Sequence, residues 1–144
     1  MRFHAVVILL AGALAYATSL SGPFLYDDQP AIVKNTQIRT LSPLSVPLTP
    51  PRDTSVAGRP LPNLSLAVNY AMGGLDVRAY HLTNIALHLL VALLLFGIAR
   101  RTWGGGSKDP LLRPMPRQAA LHADGLALGC ALVWVLHPLN TEVV

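Results

Sequence analysis

The chain has 144 residues, of which 52% are apolar and only 12% charged, with a net charge of +4 and a mean hydropathy of +0.46. A soluble domain carries about 25% charged residues, so the composition argues against a soluble globular enzyme and for an integral membrane protein. No aromatic-interleaved basic patch accompanies the positive charge, which argues against nucleic acid as a partner, and a single cysteine, Cys130, excludes an intramolecular disulfide.

The chain begins with an apolar run from Phe3 to Leu20, interrupted by the polar residues His4, Thr18 and Ser19. A bilayer core of about 30 Å needs roughly 20 residues at 1.5 Å each, so the run is predicted as a first transmembrane helix over residues 3–20. Ser21-Gly22-Pro23 stops it, because Gly is permissive and Pro lacks a donor. Met1-Arg2 and Ala15-Tyr16-Ala17 also fit a signal peptide cut after Ala17. The uncleaved helix is favoured because further membrane segments follow.

Phe24-Leu25-Tyr26-Asp27-Asp28 comes next and places two neighbouring carboxylates on a short tether beyond that helix. Adjacent acids repel each other, and nothing in folding requires them there. The plainer reading makes Asp28 the cap of a short helix entering Gln29-Pro30-Ala31, and the residues alone leave both readings open. Residues 28–35 suit one or two helical turns, whereas 41–58 show no period and read as irregular loop. From Pro62 to Met72, Leu64, Ala67/Val68 and Ala71/Met72 recur at helical spacing, with Gly73-Gly74 as a stop. This is an amphipathic helix, either lying on the membrane with Tyr70 at headgroup level or packed on other protein.

Asp76 is the expected N-cap of a second transmembrane helix, 77–101. His81, Asn84 and His88 lie at i, i+3 and i+7 on one face and are read as an interhelical hydrogen-bond stripe. A metal site is not expected there, since the two histidines lack a third ligand. A linker, 102–118, is rich in Gly and Pro, and a third helix is predicted over 119–136. Asp124 near its start is read as solvated by headgroups, and Gly125 and Gly129 as a place where a neighbouring helix approaches closely. Pro138 stops the run before Leu139-Asn140-Thr141-Glu142. The expected fold is all-α and integral to the membrane, with three transmembrane helices and a long extracytoplasmic first loop, 21–76, carrying short amphipathic helices.

Charge orients it. Residues 100–117 hold five basic side chains (Arg100, Arg101, Lys108, Arg113, Arg117) against one acid, whereas 21–80 hold five in sixty positions with four acids. Basic density in a short connection marks the cytoplasmic side, so the N-terminus is also cytoplasmic. Asp27, Asp28 and Glu142 then share the opposite face.

Several segments together carry a resemblance. They are Phe24-Leu25-Tyr26-Asp27-Asp28, Gly58-Arg59-Pro60-Leu61, Leu64 to Tyr70, Gly73-Gly74-Leu75, Tyr80-His81-Leu82-Thr83-Asn84 with Leu87-His88-Leu89-Leu90, and His137 to Val144. In this order and spacing the chain resembles the N-terminal part of the polytopic C-type (GT-C) glycosyltransferases, in particular bacterial relatives of the transmembrane, tetratricopeptide-repeat O-mannosyltransferases. The resemblance implies that residues 1–144 are the N-terminal membrane segment of a GT-C domain, a piece of a longer architecture in the bacterial inner membrane, and inactive alone if truncated. It implies a sugar moved from a polyprenyl-phosphate donor to a hydroxyl acceptor, such as a protein Ser or Thr, with no cofactor beyond that donor; no metal-ligating residue is identified. Asp27 and Asp28 are then the catalytic pair. One carboxylate takes the acceptor's proton as C1 is attacked, and cations hold the departing phosphate. Arg59 and Arg78 are the candidate phosphate ligands, and Glu142 and His137 support the site from the other loop. The competing readings are a small non-enzymatic membrane interaction or assembly protein and, less well supported by the residues, a transporter fragment lined by His81, Asn84 and His88.

The topology is testable directly. A cysteine placed at Gly105 should be shielded from a membrane-impermeant thiol reagent in intact cells and react once the cells are opened; labelling from outside would reverse the scheme.

Overall fold

A computed structural model describes residues 2–104 and 117–138. The helices are α1 (Arg2–Ala15), α2 (Pro60–Gly73), α3 (Val77–Trp103) and α4 (Arg117–Leu136), and no strand occurs among the described residues. The chain divides into two units, residues 1–17 with 84–144 and residues 18–83, so that α3 contributes its first turns to one and its remainder to the other.

In the helical unit, α1 stops at Ala15, short of the end of the apolar run at Leu20. The Tyr16 amide keeps its bond to the Gly12 carbonyl, but Thr18 and Ser19 follow, and the Ser21 hydroxyl turns back to the Thr18 carbonyl. Such side chains offer the backbone an alternative to the helical ladder, which ends here in a 3-10 turn at Ser19–Ser21. At 14 residues α1 spans about 21 Å. Among the described residues, α3 is the helix long and apolar enough to cross a membrane; Arg2–Ala15 and His122–Leu136 are apolar but shorter.

The core of this unit is rich in small side chains. Ala92, Ala99, Ala127 and Ala131 are buried with Ile8, Phe96 and Val135, while Leu10, Leu14, Leu87, Leu90, Leu94, Ile98, Leu126 and Val133 face outwards. Small residues at such contacts allow close backbone approach, a pattern that also holds helices together in lipid. Gly12 is the closest approach, since a Cβ there would collide with Leu89 and Val135. Gly125 and Gly129, the glycines expected to play that part, instead line an open apolar groove of about 760 Å³ with Leu95, Leu126, Cys130 and Val133. Polar links also cross the unit. The Val135 carbonyl, near the end of α4, accepts from the Tyr16 hydroxyl at 2.9 Å and from His88 Nε2 at 3.3 Å, and Arg100 pairs with Asp124. Asp124 is therefore held by an ion pair between α3 and α4, not by headgroup solvation as the sequence suggested.

The loop unit folds around amides. Asn63, in the first turns of α2, is fully buried. Its Oδ1 accepts from Asn35 Nδ2 at 2.8 Å and its Nδ2 donates to the Pro47 carbonyl at 2.7 Å. Asn35 in turn donates to the Ala31 carbonyl and accepts from the Gln37 amide, capping the 3-10 turn at Thr36–Arg39. Around this network Ala31, Ile32, Ile38, Val56, Ala67 and Tyr80 form an apolar core, with Phe24, Leu66 and Tyr70 at its edge. The stretch 41–58, irregular as expected, is thereby tied down at Pro47 and Val56. Helix α2 begins at Pro60, with prolines 60 and 62 in its first turn, and ends at Gly73; the C-cap Gly74 has a φ of 62° that suits a residue without Cβ. It buries Asn63, Ala67 and Asn69 and exposes Leu61, Val68 and Met72.

Asn63→Ala should leave the Pro47 carbonyl without its donor in a buried position. Hydrogen exchange in detergent micelles should accelerate roughly ten- to hundredfold at the amides of Asn35 to Ile38 and of Ala67. Unchanged protection there would show that the amide network does not hold the loop.

Candidate functional site

The acid pair lies in the loop unit, between two segments pinned to its core. On one side Phe24 packs edge-on against Tyr80, with ring centroids 5.4 Å apart. On the other, Ala31 and Ile32 are buried in a π-helical turn at Gln29–Val33. The carbonyls at the end of that turn are held by Arg39, which donates to Ile32 and Val33 and lies 4.2 Å over the Tyr70 ring. His81 Nε2 meets the Gly22 carbonyl at 3.2 Å and secures the chain just before the acids.

Between these anchors the backbone makes a tight turn closed twice. The Asp28 amide donates to the Leu25 carbonyl at 2.8 Å, and the Leu25 amide donates to Asp28 Oδ2 at 3.1 Å. The turn that follows Asp28 receives no side-chain cap bond. The expected helix cap is therefore replaced by a link backwards, because the carboxylate reaches the amide three residues before it. Asp27 differs. Its carbonyl accepts from the Ala31 amide, but its side chain is exposed and has no partner among the described residues. The two carboxylates thus have separate duties, one closing the turn and one facing outwards. Tyr26 sits at the apex with a φ of 36°.

The remaining predicted residues are dispersed. Arg59 lies at the N-terminal boundary of α2 and Arg78 in the first turn of α3, where the Arg78 amide donates to Asp76 Oδ1, the N-cap bond expected from the sequence. Both arginine side chains are exposed and neither forms an ion pair among the described residues. Nothing brings them into contact with Asp27 or Asp28. His137 belongs to the helical unit, exposed just beyond α4, and Glu142 lies outside the described residues. The stripe of polar residues on α3 forms in part: His81 and His88 each bond a carbonyl, with His88 also stacked on Trp134, while Asn84 is exposed. Among the described residues no group of three His, Cys, Asp or Glu side chains is placed to hold a metal ion. Sequence reasoning missed Asn35, Asn63 and Arg39 as the supports of the turn, since nothing local distinguishes a buried amide from a solvated one.

Curated proteins similar to this chain share one description. Over 94% of its length the chain is 31% identical to protein O-mannosyl-transferase TMTC1 of Homo sapiens. It is 31% identical over 90% of its length to Tmtc1 of Drosophila melanogaster, and 29% identical over 94% to human TMTC4, both also protein O-mannosyl-transferases. The chain spans 14%, 15% and 19% of the fly protein, human TMTC1 and human TMTC4 respectively. No family model matches it, and no solved structure does.

The division of duties predicts a difference between two variants of Asp28. Asp28→Asn keeps an oxygen that accepts from the Leu25 amide and should leave the turn as it is. Asp28→Ala removes that acceptor and should speed hydrogen exchange at Leu25 severalfold. Equal exchange in both variants would mean that the Leu25–Asp28 link does not close the turn.

Proposed function

We propose that the chain is a membrane segment of a glycosyltransferase of the protein O-mannosyl-transferase kind. It works on a sugar carried by a polyprenyl phosphate, passing it to a hydroxyl acceptor such as a protein Ser or Thr on the extracytoplasmic side. The observation that carries this reading is the similarity to such enzymes over nine-tenths of the chain. Helices α1, α3 and α4 are assigned to the bilayer, a placement supported by their small-residue core and outward leucines. The loop unit is assigned to the extracytoplasmic face, with the Leu61, Val68 and Met72 side of α2 against the lipid surface. The relatives named are animal proteins, and a bacterial inner membrane stands as an expectation of the sequence resemblance alone.

Within this reading Asp27 is the general base. As the acceptor oxygen attacks C1 of the sugar, the Asp27 carboxylate takes its proton, and the bond from C1 to the phosphate oxygen breaks with its electron pair going to the phosphate. The support is that the exposed Asp27 carboxylate has no partner among the described residues, while that of Asp28 is engaged with Leu25. Asp28 is the positioning residue, holding the turn that presents its neighbour. Arg59 and Arg78 are assigned to the departing phosphate, where charge develops, because their exposed guanidinium groups form no ion pair among the described residues. Glu142 and His137 are assigned a supporting role.

Transfer from a radiolabelled polyprenyl-phosphate sugar to a Ser/Thr peptide, measured in membranes holding matched amounts of the intact protein, tests this. Asp27→Asn preserves size and hydrogen bonding but takes no proton at neutral pH, and should lower the rate by about 10²–10⁴ with insertion unaffected. Glu142→Gln should cost less. Full transfer by the Asp27→Asn variant would leave the acid structural, and no transfer by the unmodified protein would favour a non-enzymatic interaction or assembly role.

A further inference from the structure

Tyr26 stands where a tyrosine gains nothing for the fold. Its φ of 36° lies in the left-handed region, at the second position of a turn closed by the Asp28 amide and Leu25 carbonyl. A turn with positive φ at that position is normally occupied by Gly, Asn or Asp, and a bulky residue there is a conformational outlier. The strain is imposed from both flanks. The reciprocal links between Leu25 and Asp28 and the bond from the Gln29 amide to the Tyr26 carbonyl fix the backbone, while Phe24 and Ala31 are held by the core. The side chain recovers none of that cost, because Tyr26 is 89% exposed. Strain held by its surroundings and unrepaid by burial points outward, to something the side chain meets.

We propose that Tyr26 is a substrate-binding residue whose ring packs against the sugar of the lipid-linked donor and sets it beside Asp27. The inference rests on the transferase reading above. Its chemistry is that of a rigid aromatic face, polarised negative at its centre, against the C–H face of a pyranose. Asp27 is the next residue and has the free carboxylate. A sugar resting on the Tyr26 ring is thus held next to the base that receives the acceptor's proton, and ordering the donor there favours attack at C1.

Two substitutions separate the ring from the turn. Tyr26→Asn removes the ring with a residue that tolerates positive φ, and Tyr26→Phe keeps the ring without the hydroxyl. In membranes holding matched amounts of the intact protein, Tyr26→Asn should raise the KM for the polyprenyl-phosphate sugar about tenfold or more, with thermal stability unchanged or higher. Tyr26→Phe should stay within about threefold of the unmodified protein. An unchanged donor KM in Tyr26→Asn overturns the assignment. Loss of membrane retention with an unchanged donor KM does so too, making Tyr26 a membrane anchor. If the unmodified protein neither transfers the sugar nor retains the labelled donor in micelles, the transferase reading itself falls, a result distinct from normal transfer that ignores the ring.

Discussion

The loop unit depends on one buried amide. Asn63 enters a fully enclosed position with two polar atoms that must both be satisfied, and each is satisfied by a different part of the chain. Asn35 comes from the segment after the acid pair and Pro47 from the irregular stretch 41–58. An amide that loses a partner there costs the desolvation of whatever is left unpaired, so the three segments stay together or separate together. That constraint explains how a stretch with little regular structure between residues 22 and 59 presents a tight turn in a fixed place. Ala31, whose carbonyl joins the same network through Asn35, lies three residues beyond Asp28.

The helical unit obeys a different rule. Its apolar side chains are abundant, but many of the large ones face out, and four alanines lie in the middle beside Ile8, Phe96 and Val135. In water this arrangement would forgo most of the available hydrophobic stabilisation; in lipid it exchanges nothing, because leucine is as well solvated by acyl chains as by protein. One polar contact among the described residues sits at a helix end, where carbonyls lack helical partners. Val135 is the case in point, its carbonyl receiving both Tyr16 and His88.

The candidate site joins these constraints to chemistry. Two adjacent carboxylates, equivalent by residue type, are made different by three residues of geometry: one oxygen of Asp28 is taken by the Leu25 amide, and Asp27 is left to face outwards. A base and its positioning neighbour can be built in this way without a third acid. The same closure forces Tyr26 into positive φ. The turn that separates the two acids therefore also displays an aromatic ring next to the free one.

Much of this was legible in the sequence. Composition, the apolar runs, the helical spacing from Leu64 to Met72, the Gly74 stop and the Asp76 cap all follow from local rules, because propensity, capping and hydrophobic period act over a few residues. The resemblance to O-mannosyltransferases was legible too, through the order of short motifs. What local rules could not reach was the pairing of distant polar groups. Nothing around Asp124 announces Arg100, and Asn35 and Asn63 lie 28 residues apart. The end of α1 at Ala15 depended on weak competition between serine or threonine side chains and the helical ladder, which an apolar count does not register. The roles of Asp27 and Asp28 were decided by a turn whose closure uses side chain and backbone at once. The sequence by itself determined which segments are helical and apolar and where the acids fall along the chain. Only the tertiary structure decided which acid is free, because a carboxylate's hydrogen-bond partner is fixed by where the folded backbone brings an amide.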